Sequence, residues 1–390
     1  MENRLNLAHC ADAVARVECL LQHAVGCGAS DIHADPTDQG LRIRIRRDGL
    51  LEEVVCIQED DSSSIVARLK VLARCDVTER RLPQDGKFSY ACDAGHFDCR
   101  LATFPVLHGE AFVVRLLPRS GEAADLSSLG MNQKLYDRIE QYCMRSRGFL
   151  LVTGPTGSGK TTTLYAILKA VITPTKQCVT LEDPVEYRIT GASQGEINPA
   201  VGFTFDVGLR ALIRQDPDII MVGEIRDPET ARVALHAALT GHMMVSSFHA
   251  GDSPQVISRL LDMGVEPYLV AAALDGIIAQ RLVRKICTQC REIDTRPLPV
   301  GLPRSWSIPS ERYRGRGCAA CAGVGYTGRT ALFEFLEMSP ELRTLLTRSP
   351  QIEQIYAYAR SDGWQPLAED GCAKVAAGIT TVDELVRVVL

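Results

Sequence analysis

The sequence predicts an α/β chain: a mostly parallel sheet covered by helices, preceded by a small α+β domain. Three observations predict it. From residue 131 onward, short apolar runs at Phe149–Thr153, Cys178–Leu181, Asp218–Val222 and Met243–Ser246 alternate with stretches of helical spacing, the pattern of βα units. Upstream, Leu41-Arg-Ile-Arg-Ile-Arg46 alternates strictly, the mark of a half-buried strand. Directly after the first apolar run lies Gly154-Pro-Thr-Gly-Ser-Gly-Lys160-Thr161, which satisfies G-x-x-x-x-G-K-[ST].

In chain order, residues 1–118 form the first unit. Val14, Val17, Leu20, Leu21 and Ala24 carry helical spacing between Leu7 and about Cys27, and Gly26 and Gly28 end it. Asp48-Gly49 turns the alternating strand into a hairpin. Ile65–Cys75 reads as a second helix, Phe97–Phe104 and Glu110–Leu117 as two further strands. The arginines Arg42, Arg44 and Arg46 form either a solvated face or a surface for phosphate or a neighbouring subunit. Residues 119–130 are small and polar and read as a linker. Residues 131–286 form the nucleotide-binding core, 287–321 a cysteine-bounded insert, and 322–390 a mainly helical region.

Length and composition fit a soluble multidomain protein: 390 residues, 46% hydrophobic and 23% charged. A net charge of −5 argues against a broad nucleic-acid-binding surface. No apolar stretch reaches the roughly 18 residues of a transmembrane helix. Glu2, Asp12 and Arg16 interrupt any signal-peptide core. The expected location is therefore the cytoplasm, with any membrane role acting through partners.

The phosphate chemistry needs each part of the glycine-rich loop. Glycines let backbone N–H groups curl toward phosphate oxygens, Lys160 supplies a charge for them, and Thr161 offers a hydroxyl to Mg²⁺. The helical run from Thr162 would start beneath the phosphates. Thr180-Leu-Glu182-Asp183-Pro-Val-Glu186 places three carboxylates just past a strand; they serve Mg²⁺ or the attacking water, or they are acids favoured in a helix N-terminal turn. Asp218–Val222 followed by Gly223-Glu224 is a buried strand ending in an acid, a Walker-B arrangement. Glu224 would polarise water or hold magnesium through water. His242 and His249 flank the next strand and are either packing residues or γ-phosphate sensors.

Four of the 14 cysteines are organised as Cys287-Thr-Gln-Cys290 and Cys318-Ala-Ala-Cys321. The gap between the pairs exceeds the usual ~15–20 residues of a paired zinc knuckle, but a surface excursion can lengthen such a loop cheaply. Four thiolates around one Zn²⁺ would make a structural site with no open position; four buried or redox-active thiols are the other reading. An insert of this kind is expected to behave as a separate unit.

Taken together, five blocks resemble the secretion and type IV pilus motor ATPases of the GspE/PilB type: the phosphate loop, Thr180–Glu186, Gln215–Asp227, Thr240–His249, and the four cysteines followed by Gly325-Tyr-Thr-Gly-Arg329. Ala29–His33, Pro83–Lys87 and Gly109–Leu117 extend the resemblance over nearly the whole chain. It implies a RecA-like P-loop ATPase domain, a PAS-like α+β domain before it, a tetracysteine zinc insert and a helical C-terminus, assembled as a ring homo-hexamer with ATP between the two domains. By motif match, Gly154, Pro155, Thr156, Gly157, Ser158, Gly159, Lys160, Thr161 and Thr162 bind nucleotide, and Thr161 also serves Mg²⁺. Glu224 is the catalytic acid, Glu186 supports it, and His249 lies near the γ-phosphate. Arg100 and Arg115 fall where the family presents arginines to nucleotide, and Cys287, Cys290, Cys318 and Cys321 hold Zn²⁺.

The implied function is ATP hydrolysis coupled to type IV pilus or pseudopilus assembly, or to type II secretion. Inner-membrane platform proteins would be the partners, and nucleic acid would not. A pilus retraction motor is the alternative, although such motors typically lack the tetracysteine; a RecA-like nucleic-acid translocase is the other. The extra N-terminal domain that many members carry is expected to be missing, which leaves the docking mode open. The histidine block reads Ser-Ser-Phe-His-Ala where members usually carry Ser-Thr-Leu-His-Thr, and His249 remains.

Overall fold

The computed structural model describes residues 5, 7, 10, 12–119, 123–348 and 350–390. The chain divides into two compact units, Met1–Gly121 and Glu122–Leu390. The expected linker 119–130 and the first turns of the expected Leu7–Cys27 helix lie partly outside the described residues.

In the first unit, helix α1 (Ala13–Gly26) starts where the Asp12 side chain accepts from the Ala15 N–H at 2.8 Å, a conventional N-cap. Strands β1 (Asp31–Thr37), β2 (Gly40–Arg47) and β3 (Leu50–Ile57) follow, then α2 (Glu59–Ala73), β4 (Gln84–Cys92), β5 (Gly95–Val106) and β6 (Gly109–Pro118). They form one antiparallel sheet in the order β3-β2-β1-β6-β5-β4. The alternation in β2 does what its period requires: Leu41, Ile43 and Ile45 are buried with Val17, Leu20 and Leu21 of α1 and Ile65 and Leu69 of α2. Asp48 and Gly49 both adopt positive φ, 48° and 88°, the two-residue turn that matches strand twist. Strands β1, β3 and β4 are absent from the sequence reading, although β4 alternates between covered and exposed residues along its length.

The second unit begins with α3 (Gln133–Cys143), β7 (Gly148–Thr153), α4 (Lys160–Val171), β8 (Cys178–Glu182), β9 (Ala192–Glu196), α5 (Phe205–Leu212) and β10 (Ile219–Val222). It continues with α6 (Pro228–Leu239), β11 (Met243–Phe248), α7 (Ser253–Asp262), α8 (Pro267–Ala273) and β12 (Gly276–Ile286). After the short pair β13 (Arg291–Ile293) and β14 (Tyr313–Gly315) come β15 (Tyr326–Glu337) and helices α9 (Pro340–Leu346), α10 (Ile352–Ser361), α11 (Leu367–Ala376) and α12 (Val382–Val389). The sheet order is β15-β12-β7-β11-β10-β8-β9, parallel except where β15 pairs antiparallel with β12. Strand β7 is buried at every residue because the sheet is covered on both faces. Phe149 and Leu151 enter the core under α5–α9, while Leu150 and Val152 enter the core under α3 and α4.

Three features differ from the sequence reading. The mainly helical region 322–390 opens on a twelve-residue strand, β15, which buries Ala331, Leu332, Phe333 and Leu336 before α9–α12 follow. The described part of the expected linker packs on the second unit, with Ala123 and Leu126 buried beside α4 and the Lys169 ammonium bonded to the Ala123 carbonyl at 3.1 Å. The cysteine insert is not a separate unit. Leu302, Trp306 and Ile308 of its excursion pack against Leu367, Cys372, Val375, Val382 and Leu385 of α11 and α12, and Arg296 pairs with Asp383 at 2.9 Å. A loop of that length carries enough apolar surface to bury some of it on the nearest helices.

Candidate nucleotide site and metal centre

The glycine-rich loop runs from β7 into α4. Gly154, Gly157 and Gly159 have φ of 151°, 78° and 88°, left-handed or wider values that favour glycine. Gly159 precedes α4 with no side-chain cap on the helix, so first-turn N–H groups face outward without a capping oxygen. Lys160 Nζ donates to the carbonyls of Gly154 at 2.9 Å and Pro155 at 3.1 Å. Burial lowers the Lys160 pKa and the Glu224 carboxylate opposes that shift. The Ser158 hydroxyl is buried without a partner. Pro155, Thr156, Gly157 and Thr162 are exposed, and Thr161 is half-buried. An inward lysine, an unbonded hydroxyl and outward N–H groups fit a phosphate chain.

Parallel pairing brings the remaining acids to the same sheet edge. Val222 of β10 pairs in register with Ser246 of β11, so the residues following both strands emerge together at their carboxyl ends, where α/β sheets bind ligands. There Glu224 Oε2 lies 3.1 Å from His249 Nε2. Arg226 forms an ion pair with Glu224 and reaches Asp183 at 3.4 Å. Arg226 falls inside the Gln215–Asp227 block, which assigns it no role; its place two residues after the acid is the signal that could find it.

The three carboxylates after β8 do not act as a set. Glu182 turns into the protein, accepting from the Thr180 hydroxyl at 2.5 Å, Gln194 Nε2 at 3.1 Å and the Tyr165 hydroxyl; it is buried and consumed by these bonds. Asp183 is exposed beside Arg226. Glu186 is exposed, and its N–H donates to the Tyr165 hydroxyl at 3.3 Å. His242 does not join His249: its Nδ1 lies 2.8 Å from the Ala237 carbonyl at the end of α6.

In the first unit, sheet register places Lys87, Arg100, Arg115, Asp31 and Arg46 side by side across five strands. Alternation puts this row on the face away from Leu41, Ile43 and Ile45. Arg115 Nε bonds Asp31 Oδ1 at 2.9 Å and remains 58% exposed. The two arginines singled out from sequence are thus direct cross-strand neighbours.

The four cysteines converge although a long excursion divides them. Cys287 Sγ lies 3.8 Å from Cys318 Sγ, Cys290 Sγ 3.8 Å from Cys321 Sγ, and Cys318 Sγ 3.7 Å from Cys321 Sγ. All four sulfurs fall within 4.8 Å of one another. A tetrahedron with Zn–S bonds of about 2.3 Å needs sulfur separations of about 3.8 Å. Backbone N–H groups of Cys318 and Gly325 donate to Cys321 Sγ, both at 3.2 Å, and hydrogen bonding led by Thr327 pulls the Cys287 thiol down to about 6. Both favour thiolates. The donor set fits a closed, soft-metal site.

A family model described as "Type II/IV secretion system protein" matches residues 9–387. The Escherichia coli "Protein transport protein HofB homolog" is 43% identical over 368 residues, 94% of this chain and 79% of its own length. The Vibrio cholerae "Type II secretion system ATPase E" is 40% identical over 384 residues, 97% and 75% of the two chains. The "Type IV pilus assembly ATPase PilB" of Thermus thermophilus is 40% identical over 374 residues, 95% of this chain but 42% of its own length. Among solved structures, the Legionella pneumophila ATPase DotB superimposes with a TM-score of 0.68 at 20% identity, covering 95% and 94% of the two chains. The pilus retraction motor PilT with bound ADP does so with a TM-score of 0.61 at 25% identity, covering 95% and 96%.

Proposed function

We propose a motor role for this chain, which belongs to the Type II/IV secretion system protein family: an ATPase that couples hydrolysis to type IV pilus or pseudopilus assembly or to type II secretion. The observation that carries the reading is the convergence of the phosphate loop with the Glu224–His249 pair at one sheet edge.

In this reading Lys160 exchanges the Gly154 and Pro155 carbonyls for phosphate oxygens, and the backbone of residues 154–162 holds the phosphate chain. Thr161 would hold Mg²⁺, which neutralises charge on the β- and γ-phosphates. Glu224 takes the proton of the attacking water, with its position set by Arg226 and His249. His249 reports the γ-phosphate, and Glu186 supports from the β8 loop. Arg100 and Arg115 present positive charge from the first unit; their adjacency on one sheet face, with Arg115 exposed and Arg100 half-buried, supports that role. The strand order of the first unit supports a PAS-like reading, and the sulfur geometry supports Zn²⁺ at Cys287, Cys290, Cys318 and Cys321.

A ring hexamer in the cytoplasm, attached to the inner membrane through platform proteins, follows by analogy with the family. Among the described residues no helix is long and apolar enough to cross a membrane. The retraction reading is secondary: PilT is similar at 25% identity, against 40% or more for the secretion and assembly relatives.

Deletion of the gene followed by complementation tests the function. The intact chain should restore surface pili or secretion, and Lys160→Ala should not. Restoration by Lys160→Ala would remove the motor reading.

A further inference from the structure

Strand β12 carries a buried polar side chain that the motifs do not account for. Gln280 is 2% exposed and lies beside β7, where Ala279 pairs with Thr153. The strand therefore delivers Gln280 level with Gly154, under the phosphate loop. Its Nε2 donates to the Ser158 carbonyl at 2.7 Å, and its Oε1 accepts from the Thr163 hydroxyl at 2.7 Å. The Ser158 carbonyl only accepts, so the amide nitrogen must face it. Thr163 itself is fully buried in the second turn of α4.

The contact reaches the loop's glycines as well. A Cβ on Gly154 would stand 2.5 Å from the main-chain oxygen of residue 280, and one on Gly159 would stand 2.8 Å from Gln280 Nε2. At Gly154 the neighbour is backbone, shared with Ser158 Oγ at 2.6 Å, whereas at Gly159 it is the Gln280 amide itself.

We propose that Gln280 is a positioning residue for the phosphate cradle; the proposal rests on the nucleotide-site reading above. The physical reason is the planarity of the peptide. In a trans peptide the C=O and the following N–H point in opposite directions. Holding the Ser158 carbonyl inward on Gln280 fixes the Gly159 N–H outward, on the side where phosphate oxygens bind. A Ser158–Gly159 peptide without that anchor is free to turn, because glycine permits most backbone angles. The Thr163 hydroxyl holds the other end of the amide, tying the loop's orientation to the first turns of α4.

The test is nucleotide affinity and steady-state kinetics of the full-length protein with Gln280→Leu, Gln280→Glu and Thr163→Val. ADP with Mg²⁺ is the binding probe, and melting temperature is the structural control. Gln280→Leu removes both bonds at similar volume, and Gln280→Glu replaces the donor with an oxygen that repels the Ser158 carbonyl. Each should weaken ADP binding roughly ten- to hundredfold. KM for ATP should rise in parallel while kcat changes little, because the cradle binds ground state and transition state alike. Thr163→Val leaves the Ser158 anchor and should weaken binding by about two- to fivefold.

Unchanged ADP affinity in either folded Gln280 variant overturns the proposal. So does a fall in kcat at constant KM, which would mark a general structural defect. Should both Gln280 variants fail to fold, a Thr163→Val protein with wild-type KM and affinity overturns it, and a raised KM with weaker ADP binding supports it. Failure of the intact protein to bind ADP would instead strike the nucleotide-site reading itself.

Discussion

The two chemical clusters of the second unit are joined by one strand and differ in how far their own atoms complete them. Beyond the end of β12, four cysteine sulfurs lie within 4.8 Å of one another, three of the four cysteines are buried, and backbone N–H groups already serve the sulfur of Cys321. A metal there would meet a full ligand set and no open position, the mark of a structural site. At Gln280 on the same strand, the loop is braced from behind but unfinished in front. Lys160 rests on its own loop's carbonyls, Glu224 is shared between Arg226 and His249, and His249 is 46% exposed. These contacts are exchangeable. On the reading proposed above, the difference separates bonds able to be traded for a ligand from bonds that are not.

The largest expected effect breaks the exchangeable side. Glu224→Gln keeps the cradle and removes the charge that activates water, so turnover should fall about 10²–10⁴-fold with ATP binding retained. Near-normal hydrolysis in that protein would transfer the role to Glu186.

Arg115→Ala tests whether the exchangeable contacts extend to the first unit. Its side chain is 58% exposed, and its buried partner Asp31 keeps the Ser30 hydroxyl at 2.7 Å and Arg46 at 4.0 Å, so melting temperature should fall only slightly. Hydrolysis should nevertheless drop about tenfold or more, since an arginine reaching the phosphoryl group neutralises charge there. Equal rates in the variant and intact proteins would confine catalysis to the second unit.

The smallest effect on turnover is expected at the closed cluster. Metal analysis of reduced protein should find about one Zn²⁺ per chain. Chelation should lower turnover by no more than about fivefold and the melting temperature by about 5–10 °C. Hydrogen exchange should rise between residues 287 and 325 and also in α11 and α12, because Trp306 and Ile308 pack on those helices. Protection in α11 and α12 unchanged by chelation would contradict the packing of the insert on them.

Much of this was legible in the sequence because it is local. The phosphate loop, the one-faced pattern of β2, and the apolar runs of β7, β8, β10 and β11 each report their backbone through neighbours a few residues away. Glu224 and His249 are placed at the carboxyl ends of strands for the same reason, since each follows a readable strand. What the sequence could not decide is which remote segments meet. Glu182 looked like a partner of Asp183 and Glu186 until Tyr165, Thr180 and Gln194 claimed it inside the protein. Residues 326–337 and the cysteine excursion took their places from β12 and from α11 and α12. Gln280 carries no motif, and only the pairing of β12 with β7 sets it behind Ser158. Periodicity records how a residue meets its own element and the core, whereas a bond between residues 158 and 280 exists only once sheet order and register are fixed.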